Sequence, residues 1–199
     1  MNYFNNIKLL LKMVFIISII GSAGRGDDYK YVTKQRYDEM VKYAELMINK
    51  LQIPWDQICL KSGGAAFSDH IAVTLAMRHK CYLTLHLPVP WDHSRKQYST
   101  QYKDGLTSNT YHQQFKELTG IDSLNDLDFI IQNGASVDQT HKSFKSRNTE
   151  VAKCNIMFAF TNGKGDKPGS PGTLDTWNKC LSTQKYHFSL DNILSLSNL

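Results

Sequence analysis

Cysteine is scarce in this sequence and never closely paired. The four present, Cys59, Cys81, Cys154 and Cys180, form no CxxC motif, and histidine and cysteine nowhere stand at metal-ligand spacing. That argues against a metal centre, so neither a metal nor a cofactor is expected. Three of the four lie in apolar runs, the pattern of reduced, buried thiols, which gives the cytoplasm as the expected location. The two best-known phosphate motifs are also missing. There is no GxxxxGK[ST] loop, and the lack of GxGxxG leaves ordinary NAD binding without support.

A long uninterrupted apolar span is lacking as well. The nearest candidate, KLLLKMVFIISII at 8–20, is followed by GSA and imitates a signal peptide. Lys12 interrupts it and it is too short to cross a bilayer, so no membrane association is expected. The reading adopted makes MVFIISII a buried first strand and GSAGRG the turn after it, with residues 1–12 an extension and Met13 a candidate start. N-terminal sequencing of native protein tests that reading. Charge of one sign is not concentrated: 23 Lys and Arg face 18 Asp and Glu, a net charge of +5, dense only at HSRK (93–96) and HKSFKSR (141–147). Such an excess suits a solvated surface, or attraction of small phosphates, better than a nucleic-acid groove. Repeats and low-complexity linkers are absent. The chain therefore reads as one domain over 13–190, with 191–199 as a tail.

What is present alternates. VFIISII (14–20) is a continuous β-branched run suited to a central strand covered on both faces. From Thr33, a candidate N-cap, Tyr37, Met40, Val41, Ala44, Met47, Ile48 and Leu51 form one apolar stripe at helical spacing. QICLKSGG is a second strand, 67–79 a largely apolar helix and CYLTLHLP (81–88) a third strand. Strand–helix alternation predicts an α/β fold: a Rossmann-like three-layer sandwich on a mostly parallel sheet. The polar, aromatic stretch after Pro88 has no clear period, and 89–140 is taken as an insertion that decides specificity, containing helices near 110–120 and 123–133. Then follow a helix at 143–153, the strand CNIMFAF, the loop 161–173, the helix TLDTWNKCL and a last strand KYHFSL.

Three strands thus end in glycine turns that lead into helices: GSAGRG, SGGAAFSD and GDKPGSPGT. A single such turn often needs glycine for backbone reasons alone. Three along one edge point to a ligand, because helix N-termini attract phosphate and glycine lets backbone come close. The candidate binding residues are Gly21, Ser22, Ala23, Gly24 and Arg25; Ser62, Gly63, Gly64 and Asp69; and Gly169, Ser170, Gly172 and Thr173. Arg147 and Asn148, just before the strand CNIMFAF, join them. Arginine suits a forked contact with phosphate, although a surface cation is the plainer reading.

These residues resemble the SLOG superfamily, the Rossmann-like group that includes DNA-processing proteins and the lonely-guy phosphoribohydrolases. SGGAAFSDHIA is similar to the SGGA-x-G-x-D-x-x-A turn of its YspA-like branch, matching Ser62, Gly63, Gly64, Ala65, Asp69 and Ala72, with Phe67 in place of the second turn glycine. SRN, an apolar strand and PGSPGT resemble the Arg…PGG-x-GT signature of the lonely-guy branch. The resemblance spans Val14 to Leu190 apart from 89–140, and it implies a nucleotide-type ligand and a homodimer. In the lonely-guy enzymes a Glu follows the GT corner and acts with the Arg on an N-glycosidic bond. Thr176 holds that position here, and Ser170 replaces the second glycine. A threonine cannot act as that carboxylate.

The expectation is therefore a module that binds a nucleotide or nucleotide-derived signal, as sensor or sequestering protein. An N-glycosidic hydrolase is the alternative, with Glu150 and Asp175 as candidate catalytic carboxylates and Asp69 and His93 as further candidates. Asp175 and Asp69 also have plainer roles as helix N-terminal charges. Single-stranded DNA binding through Tyr98, Tyr102 and Tyr111 is a second, weaker alternative.

Overall fold

The computed structural model describes residues 14–141, 143–163 and 165–194. The expected extension at 1–12, the candidate start Met13 and the end of the expected tail lie outside the described residues. The first strand is β1 (Phe15–Gly21), followed by α1 (Lys34–Asn49), β2 (Ile58–Ser62), α2 (His70–His79) and β3 (Tyr82–His86). The segment after β3 forms β4 (Trp91–Asp92), β5 (Gln97–Tyr98), α3 (Lys103–Thr119), α4 (Ser123–Gln132) and β6 (Ser136–Asp138). The chain then forms α5 (Phe144–Val151), β7 (Ile156–Thr161), α6 (Pro171–Lys179) and β8 (Lys185–Ser189).

Six strands make one sheet in the order β6-β3-β2-β1-β7-β8. Every neighbouring pair in it is parallel. The order reverses between β1 and β7, the switch point where open α/β sheets leave a crevice at their C-terminal edge. Alternation along the strands builds two cores. On β7, Ile156, Phe158 and Phe160 join a large core with α1, α2, Phe115 of α3 and Leu127 of α4. Met157 and Ala159 face the other way, into a smaller core with Ile20, Val151, Trp177 and Cys180. A strand covered on both faces reads as a continuous apolar run because both of its side-chain rows are buried. This is the Rossmann-like three-layer sandwich expected.

Thr33 caps α1, its side-chain oxygen accepting from the Arg36 amide. The stripe faces the core as read, with Tyr37, Met40, Val41, Ala44 and Ile48 buried. Two elements differ from the sequence reading. The helix expected from 67 starts at His70, because Phe67 is left-handed at φ +61° and belongs to the turn. The stretch after Pro88, which has no clear period in sequence, carries regular structure: β4 and β5 form an antiparallel hairpin, and α3 begins at Lys103, ahead of the helix expected near 110. All four cysteines are free thiols; Cys180 is buried and the other three are half-buried.

Candidate functional site

The site is built where β1, β2 and β7 end. The turns after these strands are tied together through backbone. Ser22 N–H donates to the Phe160 carbonyl at 2.9 Å and Ser68 N–H to the Ser22 carbonyl at 3.1 Å. Ser68 Oγ donates to the same Phe160 carbonyl at 3.1 Å. Gly21 has no room for more than hydrogen: a Cβ there would lie 2.2 Å from the Phe160 carbonyl oxygen and 2.4 Å from Ser68 Cβ. Thr173 Oγ1 donates to the Gly21 carbonyl at 2.9 Å, which fixes the start of α6 against the end of β1.

Between these turns lies a cavity of about 430 Å³. Its walls carry residues of all three glycine turns and of α5. Of the candidate binding residues, Gly21, Ser22, Ala23, Arg25, Gly63, Asp69, Arg147, Asn148, Gly169, Ser170, Gly172 and Thr173 line it. Gly24, Ser62 and Gly64 stand behind the wall instead. The Gly24 amide donates to Ser22 Oγ at 3.0 Å. Ser62 Oγ donates to the Asp69 carbonyl at 2.9 Å and accepts from the Gly64 amide at 3.1 Å.

Asp69 and Arg147 are the charged centre of the cavity. Both side chains are about nine-tenths buried, and Arg147 Nη1 lies 3.7 Å from Asp69 Oδ2, an ion pair too long to be a hydrogen bond. Asp69 Oδ1 accepts from the Gly21 amide at 3.0 Å. Burial pushes the Asp69 carboxyl above its ordinary pKa, opposed by Arg147 and by the amides of Ala65, Gly21 and Gly63. Arg147 Nε and Nη1 have no hydrogen-bond partner among the described residues. Leaving buried donors unpaired is costly, and more so when they are charged. The guanidinium also packs against Gly63, where a Cβ would sit 1.4 Å from Nη1. Gly63 is thus a glycine because the arginine occupies the space of its side chain.

Helix α5 is anchored so that Arg147 reaches this point. At its C-terminal end, Ser18 Oγ donates to the Val151 carbonyl at 2.6 Å. Lys61 Nζ donates to the carbonyls of Glu150 at 3.2 Å and Lys153 at 2.7 Å. Burial lowers the Lys61 pKa, yet its ammonium meets the free carbonyls that every helix end leaves. At the other end, the Phe144 ring is flanked by the guanidiniums of Arg25 at 4.8 Å and Arg147 at 5.4 Å. Asn148 Nδ2 donates to Asp175 Oδ2 at 3.0 Å, joining α5 to α6. Ser170 starts α6 without a side-chain cap; Pro171 has no amide and the Leu174 amide donates to the Ser170 carbonyl at 2.8 Å, which leaves the uncapped amides of Gly172 and Thr173, two residues that line the cavity.

The two carboxylates expected as catalytic candidates do not line the cavity. Glu150 is paired with Lys153 at 2.7 Å, and that contact holds its pKa below the ordinary value. Asp175 is held by Lys179 at 2.8 Å and by Asn148, which likewise lower its pKa. Thr176 does line the cavity. The carboxylates found there besides Asp69 are Asp27 and Asp28, in the short helical turn Gly26–Tyr31, which sequence reading missed. Asp28 is 6% exposed, its Oδ2 accepts from Ser22 Oγ, and its Oδ1 has no partner among the described residues. Burial raises its pKa, opposed by the Ser22 bond. The second Asp of GRGDD was the available signal, since it falls within the first glycine turn.

The 89–140 segment plays a different part from the one expected: none of its residues is among the cavity's lining. It braces the second turn from behind. Tyr98 OH donates to the Gly64 carbonyl, and His112 Nε2 lies 3.1 Å from the same oxygen. His112 Nδ1 meets Ser123 Oγ at 2.8 Å. Burial, then His70, push the His112 pKa down to about 3, so the ring is neutral and Nε2–H donates to Gly64. Tyr98 is fully buried and is not available to stack a base, whereas Tyr102 is exposed. His93 is exposed and lies 3.6 Å from Asp128, away from the cavity. At the end of β3 a separate group, His86, Asp138 and His141, brings three donor atoms within 4.8 Å of one another.

Fold and site together define a Rossmann-like α/β protein with a crevice, holding the Asp69–Arg147 pair, at the switch point of its sheet. The chain is 32% identical over 178 residues to the uncharacterized protein R261 of Acanthamoeba polyphaga mimivirus, a match covering 87% of this chain and 95% of that protein. It belongs to the same family as that protein. No family model matches the chain. No solved structure matches it significantly. Among the described residues no helix is long and apolar enough to cross a membrane.

Proposed function

We propose that the cavity binds a nucleotide or nucleotide-derived molecule, with a phosphate against Arg147 and the first turn of α6. The observation that carries this is the Arg147 guanidinium, buried at the cavity wall with two of its nitrogens unpartnered. A phosphate in the cavity would meet the positive charge of the guanidinium, and a small turn of the side chain would bring its enclosed donors onto the phosphate oxygens. The amides at the start of α6 add a second set of donors with the positive end of a helix dipole. Asp28, 6% exposed, adds a second carboxylate to the wall of the same cavity. A volume of about 430 Å³ suits a ligand of mononucleotide size. The resemblance to the SLOG superfamily points the same way, and the cytoplasm and a homodimer are part of the proposal. The role is that of a sensing or sequestering module.

A second reading is hydrolysis of a nucleotide N-glycosidic bond. Asp28 favours it: a buried carboxyl with a raised pKa in the cavity is the kind of group that handles protons. One experiment separates the two. Purified protein is mixed with AMP, ADP-ribose, cyclic oligonucleotides and NAD, and followed by native mass spectrometry, with the mixtures analysed for breakdown products. An intact bound nucleotide supports the binding module. Free base with ribose phosphate, lost on Asp28→Asn, supports the hydrolase. Binding of none of them, with salt-dependent retention on single-stranded DNA, would overturn both.

A further inference from the structure

We propose that His86, Asp138 and His141 form a divalent-metal site, zinc being the ion that suits it. The sequence spacing hides this group; the sheet register creates it. His86 ends β3 and Asp138 ends β6, and the two are direct partners across the parallel pair. His141 follows on the loop after β6. His86 Nδ1 lies 3.2 Å from Asp138 Oδ2. His141 Nε2 lies 3.1 Å from that oxygen and 3.4 Å from His86 Nδ1. The three atoms therefore form a nearly equilateral triangle. In tetrahedral zinc sites, with ligand distances near 2.0–2.2 Å, neighbouring ligand atoms stand about 3.4 Å apart. The triangle already has the dimensions of one tetrahedral face.

The chemistry of the set agrees. Two imidazoles and one carboxylate suit a borderline divalent ion better than calcium or magnesium, which prefer oxygen ligands. Three protein ligands leave a fourth position for water or another small ligand. The carboxylate has its outer partner: Asp138 Oδ1 accepts from Thr140 N–H at 3.1 Å and Thr140 Oγ1 at 2.7 Å, which turns Oδ2 toward the two rings. All three side chains are shielded, His86 and His141 being under one-tenth exposed and Asp138 about one-third. This is unlike the exposed acidic clusters that occur without an ion. A bound ion would clamp β3 to β6 and to the loop that leads into α5.

The test uses the untagged full chain, stripped with EDTA and dialysed. ZnCl₂ is titrated by calorimetry against a competing chelator, and CoCl₂ is followed by visible absorption. One equivalent of Zn²⁺ and the intense visible bands of four-coordinate Co²⁺ are expected, together with a rise in melting temperature on adding Zn²⁺. Thr140→Val should weaken Zn²⁺ binding about 10- to 100-fold, as loss of a carboxylate's orienting partner does. His141→Gln can still donate a hydrogen bond to Asp138 but lacks the imidazole donor, and should abolish the Co²⁺ bands and the melting shift. Circular dichroism confirms that the variants fold; Thr140→Val, on the loop, serves if His141→Gln does not. Absence of a stoichiometric equivalent in the wild-type chain, or an unchanged Co²⁺ spectrum in both variants, would mean a hydrogen-bonded triad only and would overturn the proposal.

Discussion

Replacing Gly63 with alanine should disable the site while leaving most of the fold intact. The backbone there is not left-handed, so alanine costs nothing in φ. The added Cβ would lie 1.4 Å from Arg147 Nη1, 2.3 Å from Cζ and 2.9 Å from Asp69 Oδ2. No side chain tolerates such distances, and the guanidinium, at the end of a flexible stem, is the group that gives way. Moving it breaks the 3.7 Å pair with Asp69. Breaking a buried pair costs about 3–5 kcal/mol when the leftover charge stays buried. Here the arginine can swing into the open cavity, and Asp69 keeps its bond from the Gly21 amide. A stability loss of about 1–3 kcal/mol is therefore expected, the cost of one poorly satisfied buried group. The effect on ligand is larger in proportion. Hydrogen bonds to charged groups contribute about 1.5–3 kcal/mol each. Losing the forked contact of Arg147 should weaken a phosphorylated ligand about 100-fold, since 1.4 kcal/mol is tenfold. Urea denaturation reads the first quantity and calorimetric titration of the nucleotide found by the screen reads the second. Binding at wild-type affinity by a folded Gly63→Ala protein would refute the reasoning, because it would mean that Arg147 does not hold the ligand.

Two further outcomes follow from the braces around the second turn. Phe67 holds a left-handed backbone, φ +61°, where the resembling motif has glycine, and its ring is fully buried beside Phe115. Phe67→Gly relieves about 1–2 kcal/mol of backbone cost but forfeits the about 3–5 kcal/mol of a buried phenylalanine, so urea denaturation should show a net loss; a gain would mean that the turn, not the packing, dominates. His112 has a folded pKa of about 3 against an ordinary 6.5. Below 6.5 the unfolded chain binds a proton that the folded one does not, so its contribution is complete above that pH and is lost as pH falls toward 3. His112→Gln keeps a donor for Gly64 and should flatten the melting temperature between pH 7 and pH 4 relative to wild type; an identical slope would show that His112 titrates normally.

Most of the sheet was legible because its strands are buried on both faces. VFIISII and CNIMFAF carry their position in continuous apolar runs, and α1 carries its own in a stripe of large side chains. The elements that were missed lack that signal. The first turns of α3, ahead of the helix expected near 110–120, bury only Gly105 and Ser108, so their inward face looks polar in sequence. Strand β6 has three residues, none fully buried, at the edge of the sheet. Of the cavity's lining, the glycine turns and Asp69 were legible through their turn chemistry, whereas Arg147 stood out only as an arginine placed before a strand. The unpaired state of Arg147 was not legible, because it depends on what packs around the guanidinium. The His86–Asp138–His141 group was hidden for a related reason: its members lie on different elements and only the fold sets them side by side, whereas Asp28 stands within the first glycine turn, bonded to Ser22 of the same turn.

The central claim is that Arg147 receives a phosphate. Its most direct test is the difference in affinity between AMP and adenosine, measured by calorimetry in the wild-type chain and in Arg147→Ala. If the account is right, AMP binds more tightly than adenosine to the wild type, and the preference collapses in the variant while adenosine binding changes little. If the variant keeps the full preference for AMP, the phosphate sits elsewhere and the account is contradicted.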